Sequence, residues 1–169
     1  TYKIQSLWKL SFLNNLHIIE SFNCVVMINA VLRIGAKPVF ADIDKASLGS
    51  SINSIKKLVS DKTRMIVAQH SFGIPCEIQP IVNFAKKKNI FLLEDCALTM
   101  GSSIKGIKCG NFGDAALFST DNTKLINTQV GGLIYSKNKT LISRLKKYRD
   151  QCSEISDKQK KLILSRLIF

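Results

Sequence analysis

Histidine is nearly missing from this chain: His17 and His70 are the only two in 169 residues, which leaves a His-rich metal centre without ligands. The five cysteines, Cys24, Cys76, Cys96, Cys109 and Cys152, are odd in number and form no CxxC pair. Neither a disulfide framework nor a zinc site is indicated, and a reducing, cytoplasmic setting fits best. Proline is scarce and no Pro-rich or Gly/Ser-rich tract occurs, so neither a long linker nor a disordered chain is expected. Every apolar run is broken well short of the ~20 residues a bilayer span needs. The opening TYKIQSLWKL lacks the basic, apolar and small-residue zones of a secretory leader. Phosphate and nucleophile signatures are missing too. GSSIKG does not make a GxxxxGK[ST] frame, GNFG supplies only GxxG, and no GxSxG occurs.

What is present is a hydrophobic share of 46% and a formal charge of +13. That share over this length predicts one α/β domain spanning 1–169. The charge invites a nucleic-acid or anionic-surface reading, because clustered Lys and Arg neutralise phosphates. The basic residues instead fall in short helical faces, KKLVS, FAKKKN and SRLKKYRD, with no aromatic interleaving. Solvated charged faces are the simpler reading, and nucleic acid is a poor candidate partner.

From Asn23 onward, helix-like and strand-like segments alternate. NCVVMINAVLRI stops at Gly35, a C-cap candidate, before the extended PVFADI. SINSIKKLVS places Ile52, Ile55, Leu58 and Val59 at helical spacing, and TRMIVAQH then reads as a buried strand. EIQPIVNFAKKK puts Ile78, Ile81, Val82 and Ala85 on one side, ahead of the strand NIFLLED. An irregular glycine-containing stretch, GSSIKGIKCGNFGD, leads to the strands AALFS and GGLIYS and the basic helix NKTLISRLKKYRD. A C-terminal helix is expected over 151–169, with a Ser156-x-x-Gln159 capping box. YKIQSLWKLSFL is expected to be helical and HIIESF a strand. Short strands separated by longer helices imply βαβ units and a mainly parallel sheet. The short polar link between AALFS and GGLIYS predicts an antiparallel pair there.

Ligands of open α/β sheets bind beyond the carboxyl ends of the strands. Reading each strand to its end selects His70 and Ser71, Glu94 and Asp95, Ser119 and Thr120, with Lys124 a few residues further on. A lysine withdrawn from water can attack a carbonyl, a strand-end Asp can hold a protonated ring nitrogen, and hydroxyls can hold a phosphate. Those are the parts of a pyridoxal phosphate site. Spacing alone leaves the alternative open, in which Asp95 caps a turn and Lys124 is a solvated loop charge. Cys96 next to Asp95 suits a structural cysteine better than a nucleophile.

The blocks GAKPVFADID, TRMIVAQHSFGIPCEIQPIVNFAKKKNIFLLEDCALTMGSSIKG and CGNFGDAALFSTDNTKLINTQVGGLIYS resemble the central part of the DegT/DnrJ/StrS sugar aminotransferases. The similarity covers about residues 21–150. It implies the large-domain fold of fold type I pyridoxal 5′-phosphate enzymes, incomplete at both ends. Carried over by position, it implies that Lys124 forms the Schiff base with the cofactor and Asp95 pairs with the ring nitrogen. Ser119 would hold phosphate, and Phe22 would lie against the ring. A nucleotide-sugar substrate, glutamate as amino donor and a homodimer are implied as well, in polysaccharide or deoxyaminosugar synthesis.

The chain also departs from the family. Leu98 stands where Gln or His usually meets the ring hydroxyl, Asp121 where His or an aromatic is common, and QVGG where GEGG is common. The first residue is Thr rather than Met, and relatives are much longer, so a piece of a longer protein is expected. Two rivals remain: a truncated, inactive paralogue that keeps the fold, and a basic anion- or nucleic-acid-binding module.

Overall fold

Residues 15–165 are described in the computed structural model; the helix expected within YKIQSLWKLSFL lies outside them. In chain order the elements are β1 (Leu16–Glu20), α1 (Val25–Arg33), β2 (Lys37–Ala41), α2 (Ile52–Leu58), β3 (Thr63–Gln69), α3 (Ile78–Lys88) and β4 (Phe91–Asp95). They continue with β5 (Ser103–Ile104), β6 (Ile107–Lys108), β7 (Ala115–Ser119), β8 (Gly132–Tyr135), α4 (Lys139–Asp150) and α5 (Asp157–Ser165).

Strand residues point alternately to the two faces of a sheet, so β-branched runs such as HIIE and TRMIVAQ can serve two cores at once. They do so here. Ile18, Ile66, Ala68 and Leu92 pack with Ile55 of α2 and with Ile78, Ile81, Val82 and Ala85 of α3. Ile19 and Val67, one residue on, pack against Val31 of α1 on the opposite face. Each fully buried isoleucine contributes roughly 1.5–3 kcal/mol of hydrophobic stabilisation. The sheet order is β2-β1-β3-β4-β7-β8. All neighbours are parallel except β7 and β8, which are antiparallel as the short connection requires.

Helix ends follow from local chemistry. At the end of α1, Gly35 takes φ +78° and donates to Leu32 O, while Ala36 donates to Val31 O. Val31 and Ala36 are buried in one cluster, which completes a Schellman stop. Asn89 repeats the device after α3 at φ +52°, because Asn tolerates the left-handed region. Asn138 caps α4 by accepting from Leu141 N–H. Ser156 and Gln159 exchange the expected capping-box bonds, so the helix expected over 151–169 begins only at Asp157; residues 166–169 lie outside the described residues. Basic residues occupy the last turns of α1, α2, α3 and α4, where they oppose the helix dipole. The excess charge is thereby spread over four helix ends.

The stretch expected to be irregular holds a two-strand hairpin, β5 with β6. Its turn residues Lys105 and Gly106 both have positive φ, as a tight primed turn needs. The lysine disguised a turn that Asn-Gly would have announced.

Candidate active site

The sheet order reverses between β2-β1 and β1-β3, and a cleft opens beyond the carboxyl ends of the strands there. Its volume is about 270 Å³. Phe22, Asn23 and Cys24 line it after β1, Gln69 to Phe72 after β3, Asp95, Ala97 and Leu98 after β4, and Lys124 after β7. Four of the five expected site residues, Phe22, Asp95, Leu98 and Lys124, therefore share one cavity. Ser119 does not line it. It ends β7 half-buried, and its hydroxyl accepts only a long bond of 3.4 Å from Asp121 N–H.

Asp95 is 6% exposed, and one carboxylate oxygen accepts from Ala97 N–H at 3.0 Å. Burial pushes its carboxyl above the usual range, while the Ala97 amide, His70 and the Lys124 ammonium pull the other way. Lys124 is thus close enough to Asp95 to be felt electrostatically. It sits half-buried in a loop tied across its own base. Thr120 N–H donates to Gly131 O, Thr128 N–H to Thr120 O, and the two threonine hydroxyls meet at 2.7 Å. Within that loop Gln129 adopts φ +66°, the conformation glycine takes most readily.

Gln69 was not singled out by sequence. Its side-chain amide donates to Phe22 O at 3.0 Å and to Ser71 Oγ at 2.9 Å, joining the segment after β1 to the end of β3. Its position as the last residue of a strand was the available signal. Phe22 is half-exposed, and its ring centroid lies 6.0 Å from that of Phe72.

Beneath the cleft, on the α2 and α3 face, a second polar cluster is closed. Glu94 is fully buried and takes four donors: His70 Nε2 at 3.2 Å and the N–H groups of Gly110, Phe112 and Gly113 at 2.6–2.8 Å. Those bonds hold its carboxyl below the ordinary range against the opposing effect of burial. The GNFG stretch thus cradles an internal carboxylate. Gly110 stands at φ +93°, and a Cβ there would meet the Phe118 ring at 2.6 Å, so only glycine fits. Ser50 Oγ donates to Glu20 Oε1, and Gln69 N–H donates to Ser50 Oγ at 2.9 Å. Glu20 Oε2 has no partner among the described residues, and burial raises this carboxyl to about pH 8.

His70, Glu94 and Cys96 offer ligand atoms within 4.8 Å of one another. The hydrogen bonds argue against a cation. Cys76 N–H donates to His70 Nδ1, so the ring proton sits on Nε2 and faces Glu94. His70 does approach Cys96, a proximity no spacing pattern revealed. That thiol is nonetheless fully buried and pushed up by burial, which makes it a structural cysteine. Among the described residues no helix is long and apolar enough to cross a membrane.

Comparison with known proteins gives a consistent picture. The DegT/DnrJ/EryC1/StrS aminotransferase family model matches residues 14–165. The chain is 36% identical over 134 residues to a GDP-perosamine synthase of Escherichia coli O157:H7, covering 79% of this chain and 37% of that protein. It is 32% identical over 130 residues to a dTDP-4-dehydro-2,3,6-trideoxy-D-glucose 4-aminotransferase of Saccharopolyspora spinosa, covering 77% and 34%. The X-ray structure of an aminotransferase from Psychrobacter cryohalolentis superposes with a TM-score of 0.80 at 31% identity, covering 82% of this chain and 35% of that one. The chain spans little more than a third of the length of these relatives.

Proposed function

The chain belongs to the DegT/DnrJ/EryC1/StrS aminotransferase family, and we propose that it forms the cofactor-binding core of an aminotransferase acting on a keto sugar of a nucleotide sugar. The substrate class rests on the names of its relatives. The observation that carries the reading is the convergence of Asp95 and Lys124 on one cleft at the sheet's switch point.

The family's cofactor is pyridoxal 5′-phosphate, which supplies an aldehyde carbon and a ring that takes up an electron pair. The residues present fit its ring end. The Asp95 carboxylate would face the protonated ring nitrogen, and a cation there offsets the burial that disfavours ionised Asp95. Lys124 Nζ would hold the aldehyde carbon and, once released, carry a proton at that same nitrogen. The Phe22 ring would cover one side of the cleft. Leu98, 43% exposed, offers only apolar surface where a ring hydroxyl would need a hydrogen bond. For the phosphate, Ser119 remains the proposed ligand, together with groups outside the described residues.

Glutamate is the proposed amino donor. A homodimer is the proposed assembly, supported by the apolar surface of Leu133, Ile134 and Tyr135 on β8 and of Leu125 and Ile126 beside Lys124, all exposed. Leu98 and the strained Gln129 favour a second reading, an inactive chain that keeps the fold. The purified chain mixed with pyridoxal 5′-phosphate should develop a visible absorption band that Lys124→Ala lacks. No band in the unmutated protein overturns cofactor binding. A band without amino transfer from glutamate selects the inactive reading.

A further inference from the structure

The turn after β3 contains a conformation that its residue type disfavours. Ser71 O accepts from Ile74 N–H at 2.8 Å, and both central residues, Phe72 and Gly73, have positive φ, +54° and +81°. Glycine takes that region freely and Asn tolerates it, whereas a bulky aromatic side chain there is an outlier. Such strain persists only where the surroundings over-determine it, and it gathers at functional sites. Burial does not account for it, since Phe72 is 60% exposed. What the turn achieves is placement. The Phe72 ring lines the cleft and lies 6.0 Å from the Phe22 ring at an interplanar angle of 43°, within the range of favourable tilted aromatic pairs.

We infer that Phe72 is a positioning residue, held in a strained turn so that its ring fixes Phe22 as the wall against which a planar pyridine-type ligand binds. The inference rests on the proposed cofactor reading and adds a residue to it. Phe22 follows β1 at the rim, half-exposed, and the Gln69 bond to its carbonyl fixes its main chain but not its ring. Among the described residues, Phe72 is the aromatic ring that packs against it.

The strain makes fold and binding respond in opposite directions to one substitution. Phe72→Asn suits the left-handed turn and removes the ring. It should raise the unfolding midpoint by about 2–4 °C. It should also weaken binding of pyridoxamine 5′-phosphate, which carries the ring without a carbonyl for Lys124, by about three- to tenfold in equilibrium fluorescence titration. Phe72→Tyr, which keeps the ring, should bind as the unmutated chain does. Unchanged binding in Phe72→Asn overturns the inference while leaving the cofactor reading intact. A fall in both midpoint and binding overturns it as well, since Phe72 would then be structural. If the unmutated chain binds neither pyridoxal 5′-phosphate nor pyridoxamine 5′-phosphate, the cofactor reading fails and this inference falls with it.

Discussion

Glu94 and Asp95 are neighbours in one strand with opposite fates. Glu94 points toward α2 and α3 and takes four hydrogen bonds in a closed cluster, whereas Asp95 points into the cleft and takes one. Gln69 and His70 differ in a related way: Gln69 bonds at the rim, whereas His70, though it also lines the cleft, bonds Glu94 beneath it. The period-2 alternation of a strand thus separates groups that hold the fold from groups left for chemistry, one residue apart. A fully satisfied polar cluster is rigid, and a carboxylate with few partners keeps the capacity to meet a ligand.

The largest effect should come from breaking the closed side. Glu94→Ala leaves His70 and three backbone N–H groups without their acceptor, and denaturant unfolding should show a loss of about 3–5 kcal/mol. Asp95→Ala should cost less than about 1 kcal/mol, since ionised Asp95 is itself disfavoured by burial, yet it should abolish binding of pyridoxal 5′-phosphate. Comparable stability losses in the two variants would erase the distinction between the faces.

The next effect depends on pH. Glu20 titrates near pH 8 in the folded chain against about 4.5 unfolded. Between those values the folded state holds the extra proton, so this contribution is full below about pH 4.5 and is lost as pH rises through 8. The loss is of order 2–4 kcal/mol once water penetration discounts the burial effect. Thermal melts across this window should decline with pH in the unmutated chain and flatten in Glu20→Gln. An unchanged slope in that variant would place the titration elsewhere.

The smallest effect lies on the open side. Gln129→Gly relieves a left-handed residue in the Lys124 loop and should gain about 1 kcal/mol, read as a midpoint rise of about 2–4 °C. A loss there would mean that the Gln129 side chain contributes more than its backbone strain removes.

Much of the frame was legible because its signals are local. Ile78, Ile81, Val82 and Ala85 announce one helical face and are all buried, and the residues at or just beyond the ends of β1, β3 and β4 line the cleft. Glu94 was not legible as an anchor, because three of its four donors are backbone N–H groups from a loop 16 to 19 residues away. Main-chain donors leave no residue signature. Glu20 reads as an ordinary strand-end acid until Ser50 and Gln69 close over it. Ser119, expected by position to hold phosphate, pairs with Gly132 at the end of β7 and does not line the cavity, so that role stays with the proposal.

That same register pair fixes the reach of Lys124. Residues 120–131 leave the sheet at Ser119 and return at Gly132, directly opposite. Closing a loop of this length at its base limits the volume open to the lysine, and the chain entropy of that closure is a cost of the fold rather than of ligand binding. The antiparallel edge strand therefore acts as a tether that gives an amine a high effective concentration at one cavity.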